Sequence, residues 1–165
     1  MTVVLIGFMG SGKSTISKML AAKLGVPVID TDEMIKNRNN CSIESIFANR
    51  GEAAFRDMEY ELLNELANIH PQNFVLATGG GIIENPKCRE ILKKMGNVFF
   101  LDVSFDEAWE RIKNSDRPLA KDIDKCRALY EHRIPLYKEA ANLSIECQLY
   151  SPFEITKNII KSVSR

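Results

Sequence analysis

An apolar run, "TVVLIG" at residues 2 to 7, passes without a break into "FMGSGKST", so a buried strand must give way at once to a loop of high backbone freedom. Gly7, Gly12, Lys13 and Ser14 stand at the spacing G-x-x-x-x-G-K-[ST], the phosphate-binding loop known as Walker A. Each residue type has a task there. Glycine lets the backbone turn tightly and lets a ligand lie against its amides. Successive N–H groups at a helix N-terminus form a nest for phosphate, the lysine reaches the outer phosphate oxygens, and the serine hydroxyl suits Mg²⁺. A glycine-rich turn with an incidental lysine would leave the preceding strand and following helix unexplained.

The rest of the chain fits the architecture this loop requires. "VPVID", "NFVLAT", "NVFFLDV" and "NLSIEC" are further short apolar runs separated by longer helical stretches, a five-stranded α/β pattern. Right-handed crossovers would make the sheet parallel and gather the strand C-termini on one rim, where ligands bind. At 165 residues the chain is expected to form a single domain, 1–165, that buries roughly two-thirds of its unfolded surface. Twenty-two basic and twenty-two acidic residues cancel, and no like-charge block marks a nucleic-acid or membrane partner. Cys41, Cys88, Cys126 and Cys147 are scattered without a C-x-x-C pair, so reduced thiols are expected rather than zinc ligands or disulfides. The N-terminal run lacks a basic flank and is broken by Gly7 and Gly10, which points to a cytoplasmic protein. Capping-box patterns mark two helix starts, Ser104 with Glu107, and Ser151 with Pro152 and Glu154.

Residues expected on the rim carry the chemistry. In "DTD", Asp30 and Asp32 would project from one face if the chain stays extended there, one toward Mg²⁺ and the other toward a substrate hydroxyl; capping of the next helix is the competing reading. The third strand ends in "LATGGG" without a carboxylate, so Asp30 is the preferred metal-side acid. Asp102 reads as a turn residue. Gly79, Gly80 and Gly81 would expose backbone amides to a substrate. Arg56 and Glu59 lie at i and i+3 in "FRDMEYE", and Arg133 precedes a proline in "EHRIPLYKEAA"; together the arginines could grip a carboxylate in bidentate fashion. "KNSDRPLAKD", 113–122, reads as a mobile flap whose Arg117 closes over the γ-phosphate. His70 and His132 read as ordinary surface or packing residues.

Taken in order, "GFMGSGKST", "DTD", "FRDME", "TGGG", "RPL" and "RIPLYKEAA" resemble the shikimate kinase family over nearly the whole chain. The resemblance implies a three-layer P-loop kinase fold of the nucleoside-monophosphate-kinase type, with a five-stranded parallel sheet of order 2-3-1-4-5 and a short lid at 113–122. It implies transfer of the γ-phosphate of ATP to the 3-hydroxyl of shikimate, in chorismate and aromatic amino-acid biosynthesis. Asp32, Arg56, Gly80 and Arg133, with Gly79, Gly81, Phe47 and Phe55, would hold shikimate, largely in the segment 31–60. Gly10, Ser11, Gly12, Lys13, Ser14, Thr15, Arg117 and Pro152 would hold ATP, and Ser14 and Asp30 would organise Mg²⁺. Lys13, Asp32 and Arg117 would be catalytic. A monomer acting on small molecules is expected. The flap lacks a clear counterpart of the family's adenine-stacking base, for which Arg111 and Lys113 are the candidates, and Glu146 stands where aspartate is usual. A gluconate-type kinase is the alternative enzyme, and a nucleotide-sensing module without turnover is the alternative from another class.

Overall fold

The computed structural model describes residues 1–69 and 73–164. Five strands, β1 (Val3–Ile6), β2 (Val28–Asp30), β3 (Val75–Ala77), β4 (Val98–Asp102) and β5 (Leu143–Glu146), form one sheet in the order β2-β3-β1-β4-β5. All adjacent pairs are parallel, with Val3 opposite Val75, Val4 opposite Val98 and Val28 opposite Val75. β1 is buried at every position. Its unbroken apolar run follows from its central place, since a parallel strand covered by helices on both faces has no solvent side.

Helices α1 (Lys13–Leu24) and α7 (Pro152–Val163) pack together, while α3 (Ile43–Ala67), α4 (Pro86–Met95) and α6 (Ile123–Ala140) form a second contiguous layer. α2 (Thr31–Asn39) leans on α3, and α5 (Phe105–Ile112) on α6. The helical course of α3 is broken at Gly51, whose φ of 82° and ψ of 168° bend the chain between two helical halves. The Ser151 box closes in both directions with Glu154. The Ser104 box does not: its hydroxyl accepts from the Glu107 N–H at 3.3 Å, yet Oε2 of Glu107 is buried without a partner. The flap region is also more regular in shape than its composition implies, because Pro118–Lys121 forms a short 3₁₀ turn and Asp122 caps α6.

One packing feature reaches the site directly. The Tyr137 ring stacks on Phe100 of β4 at 5.0 Å, and its hydroxyl donates to the Gly80 carbonyl at 2.6 Å. Burying a large side chain of this kind stabilises by roughly 1.5–3 kcal/mol. It also fixes α6, and with it Arg133 one turn earlier, against the end of β3. Cys88, Cys126 and Cys147 are buried and Cys41 partly so, all as free thiols. No helix among the described residues is long and apolar enough to cross a membrane.

Candidate active site

The parallel sheet brings the ends of β1, β2 and β3 to one rim, where a cavity of about 410 Å³ opens. Its floor is the loop after β1. Gly10 and Gly12 have φ of 78° and 92°, values that a side chain would strain, so the tight wrap depends on glycine. Lys13 opens α1 and folds its ammonium back over the loop, donating to the carbonyls of Gly7 and Phe8 and to Ser11 Oγ. Burial lowers its pKa to about 8, against the opposing pull of Asp32. Ser11, Ser14 and Thr15 line the same cavity.

The two aspartates reach the cavity by a different geometry from the extended one. α2 begins at Thr31, immediately after β2, and Asp30 is its N-cap: Oδ1 accepts from the N–H groups of Asp32 at 3.0 Å and Glu33 at 3.2 Å. The two-residue alternation of a strand therefore does not operate here. Helix capping and a place in the cavity wall coexist in Asp30, which uses one oxygen for the cap. Asp32 Oδ1 is buried with no hydrogen-bond partner. Burial, and secondarily Asp30, raise its pKa, while Lys13, Arg117 and Arg56 oppose the rise. Asp102 is the last residue of β4, opposite Glu146 in the ladder with β5 rather than in a turn, and it lies outside both this cavity and the smaller one beside it.

"TGGG" serves a purpose that its sequence does not reveal. The Gly79 N–H donates to Thr31 Oγ1 at 2.8 Å, so this amide is engaged within the protein rather than offered to a ligand. A Cβ on Gly79 would overlap the Asp32 carboxylate, and one on Gly81 would overlap the Arg56 guanidinium. None of the three glycines has positive φ. Gly79 and Gly81 are needed for space, as notches into which two functional side chains fit, whereas a Cβ on Gly80 would meet only ordinary contacts.

Arg56 bridges Glu59 at 2.6 Å and Glu52 at 3.2 Å. The i,i+3 partner expected from the sequence is thus present and buried, with burial raising Glu59 to about 7 despite the neighbouring guanidinium. Arg56 Nε and Glu59 Oε1 have no protein partner. Arg133 lines the same cavity and is 6% exposed. Its carboxylate partner, Glu84, carries no signal in the sequence: Arg133 Nε donates to Glu84 Oε1 at 2.7 Å, and His132 Nε2 meets Oε2 at 3.0 Å. His132 thus has a specific contact beside a site residue. His70 lies outside the described residues.

Phe47 and Phe55 stand 5.0 Å apart on the cavity wall, and Arg117 also lines it. A second cavity of about 220 Å³ adjoins the first, sharing Ser11, Gly12, Thr15 and Arg111 and adding Cys147, Tyr150 and Pro152. Arg111 donates to the Gly10 carbonyl at 2.7 Å. Lys113 lines neither cavity and pairs with Glu110, so the geometry favours Arg111 of the two basic candidates. Glu146 ends β5 just before the turn that carries Cys147.

Known proteins resemble this chain along nearly its whole length. The family model described as shikimate kinase matches residues 9–164. A shikimate kinase of Sulfurihydrogenibium sp. is 38% identical over 165 residues, covering 99% of this chain and 98% of that protein. One from Paracidovorax citrulli is 44% identical over 151 residues, covering 88% of this chain and 81% of the relative. Among solved structures, shikimate kinase from Acinetobacter baumannii in complex with shikimate superposes with a TM-score of 0.90 at 34% identity, covering 98% of this chain and 92% of that one.

Proposed function

The chain belongs to the shikimate kinase family, and from that premise we propose that it transfers the γ-phosphate of ATP to the 3-hydroxyl of shikimate, yielding shikimate 3-phosphate and ADP for chorismate and aromatic amino-acid biosynthesis. One observation carries the reading at the level of the site. A phosphate loop and two carboxylate-restrained arginines face one cavity, together with three buried polar atoms, Asp32 Oδ1, Arg56 Nε and Glu59 Oε1, that lack a protein partner. Buried polar atoms are normally satisfied, and a polyhydroxylated carboxylate supplies the partners missing here.

In this reading Arg56 and Arg133 bind the acceptor carboxylate, Phe47 and Phe55 cover the ring, Gly80 lets it approach the end of β3, and Gly79 and Gly81 leave room for Asp32 and Arg56 to meet it. Asp32 accepts the hydrogen bond of the reacting hydroxyl, orients its oxygen and takes its proton. Its raised pKa makes it a better base than a solvated aspartate. Gly10, Ser11, Gly12, Lys13, Ser14 and Thr15 cradle the triphosphate, and Pro152 and Arg111 flank the adenine in the adjoining cavity. Lys13 and Arg117 neutralise charge on the transferring group, which is the main task in phosphoryl transfer. Ser14 and the uncapped oxygen of Asp30 fit Mg²⁺, a hard ion that keeps waters and phosphate oxygens and takes few protein ligands; no group of three or more His, Cys, Asp or Glu side chains among the described residues offers an all-protein cage. When bound there, the ion would supply positive charge that neutralises the charge developing on the phosphoryl group. Residues 113–122 act as the lid that excludes water, and 31–60 as the acceptor segment of a single kinase domain, 1–165. The enzyme works as a cytoplasmic monomer, without nucleic-acid or membrane partners.

A coupled ADP-release assay offering shikimate, quinate, gluconate and nucleoside monophosphates in parallel tests the assignment. Shikimate should give by far the highest kcat/KM. Preference for gluconate would replace the acceptor, and nucleotide binding without ADP release from any acceptor would point to a sensing module.

A further inference from the structure

Building on that functional reading, we propose that Glu84 is a positioning residue for acceptor binding, fixing the plane of the Arg133 guanidinium so that its terminal nitrogens face the ligand. A guanidinium as buried as that of Arg133 needs a paired carboxylate, and among the described residues Glu84 is the one within ion-pair distance. The contact is made through Nε at 2.7 Å. The five N–H groups of arginine form a rigid planar fork, so holding Nε sets the direction of the other two nitrogens. Nη1 lies on the Gly80 side, 3.7 Å from where a Cβ on that glycine would stand, and both residues line the acceptor cavity. Glu84 itself does not line it, so its influence on a ligand must pass through Arg133.

Glu84 is well anchored for this role. It lies on the 3₁₀ turn Ile82–Glu84, directly after the three glycines. Its second oxygen meets His132 Nε2 at 3.0 Å. The carbonyls of Ile83 and Glu84 accept from Arg89 Nη1 at 2.7 and 3.5 Å, and Arg89 Nε donates to Glu139 of α6 at 3.1 Å. The turn and α6 are thus fastened at two places, through Arg133 and through Arg89. Burial pushes the Glu84 carboxyl upward, but the bonds from Arg133 and His132 outweigh it and hold the group below the usual carboxylate range, so it stays charged at neutral pH.

The test is a double-mutant cycle on the full chain without nucleotide, read by calorimetric titration of shikimate into wild type, Glu84→Ala, Arg133→Lys and the double variant. Glu84→Ala should weaken shikimate about tenfold, a loss within the usual range for coupled neighbours, and leave ATP affinity unchanged. In the Arg133→Lys background, where no planar fork remains to be oriented, the same substitution should add less than about twofold. Glu84→Gln, which keeps the shape and an acceptor oxygen, should recover part of the loss; Glu84→Asp, which retracts the carboxylate, should not. A merely structural role would lower the melting temperature without this background dependence. Equal losses in both backgrounds, or a folded Glu84→Ala or Glu84→Asp chain with unchanged shikimate affinity, would overturn the role of Glu84 alone. Failure of the wild type to bind shikimate would instead overturn the functional reading, and this proposal with it.

Discussion

Gly81→Ala adds one methyl group at a residue that contacts no reacting atom in the proposed reaction, yet it should disable acceptor binding. Gly81 has φ of −93°, which any L-residue adopts, so the backbone is not strained by the change. The difficulty is space. The new Cβ would lie 2.6 Å from Arg56 Cζ and closer still to both terminal nitrogens. Ordinary carbon contacts begin near ~3.5 Å, so the guanidinium must withdraw by about 1 Å. That movement pulls on the 2.6 Å bridge to Glu59, and a displacement of this size at a positioned group costs on the order of 10²-fold. The expected result is a rise of about 10²-fold in KM for shikimate, with KM for ATP and the melting temperature close to wild type. Gly12→Ala is the contrasting control: nothing lies within 4 Å of its Cβ, but its φ is 92°, so it should distort the phosphate loop and raise KM for ATP instead. Steady-state kinetics with each substrate varied, alongside thermal melting, distinguishes the two effects. A folded Gly81→Ala enzyme with unchanged shikimate KM would refute the notch explanation of the triple glycine.

Three further outcomes follow from the same geometry. Lys13 has a pKa of about 8, so its charge is present below that pH and is lost above it; kcat/KM for ATP, which reports the free enzyme, should fall as pH rises through about 8, and the limb should vanish in Lys13→Arg. Asp32→Asn should lower kcat by roughly 10²- to 10⁴-fold, and an unchanged chemical step in rapid-quench measurements would remove the base assignment. Arg117→Ala should reduce kcat while equilibrium shikimate binding without nucleotide stays near wild type, because the lid closes over ATP; a large loss of binding would move Arg117 into the acceptor site.

The sheet is readable in the sequence because its strands are continuous apolar runs, and each of the five apolar segments contains one of the observed strands. Their order comes from family resemblance, since local spacing does not say which strands pair. The start of α2 is harder. "DTD" can continue a strand or cap a helix, and the local residues permit both. The observed choice comes with a distant contact, the bond from the Gly79 N–H to Thr31 Oγ1 across 48 residues.

The same distinction separates the legible from the illegible parts of the site. Arg56 and Glu59 are visible as a pair because helix periodicity places i and i+3 together, and the phosphate loop is visible because its residues are contiguous. Glu84 and Arg133 are 49 residues apart, and the intervening sequence carries no repeat or motif linking them. Their pairing depends on α6 returning to the end of β3, where Tyr137 is pinned to Gly80. The glycines are conspicuous in the sequence, but their physical reason is not. Three in a row suggest freedom for a ligand, whereas two of the three notches are filled by Asp32 and Arg56 of the protein itself. A small residue beside a site therefore has two possible beneficiaries, the ligand and the side chains that meet it, and at Gly79 and Gly81 the space is taken by Asp32 and Arg56.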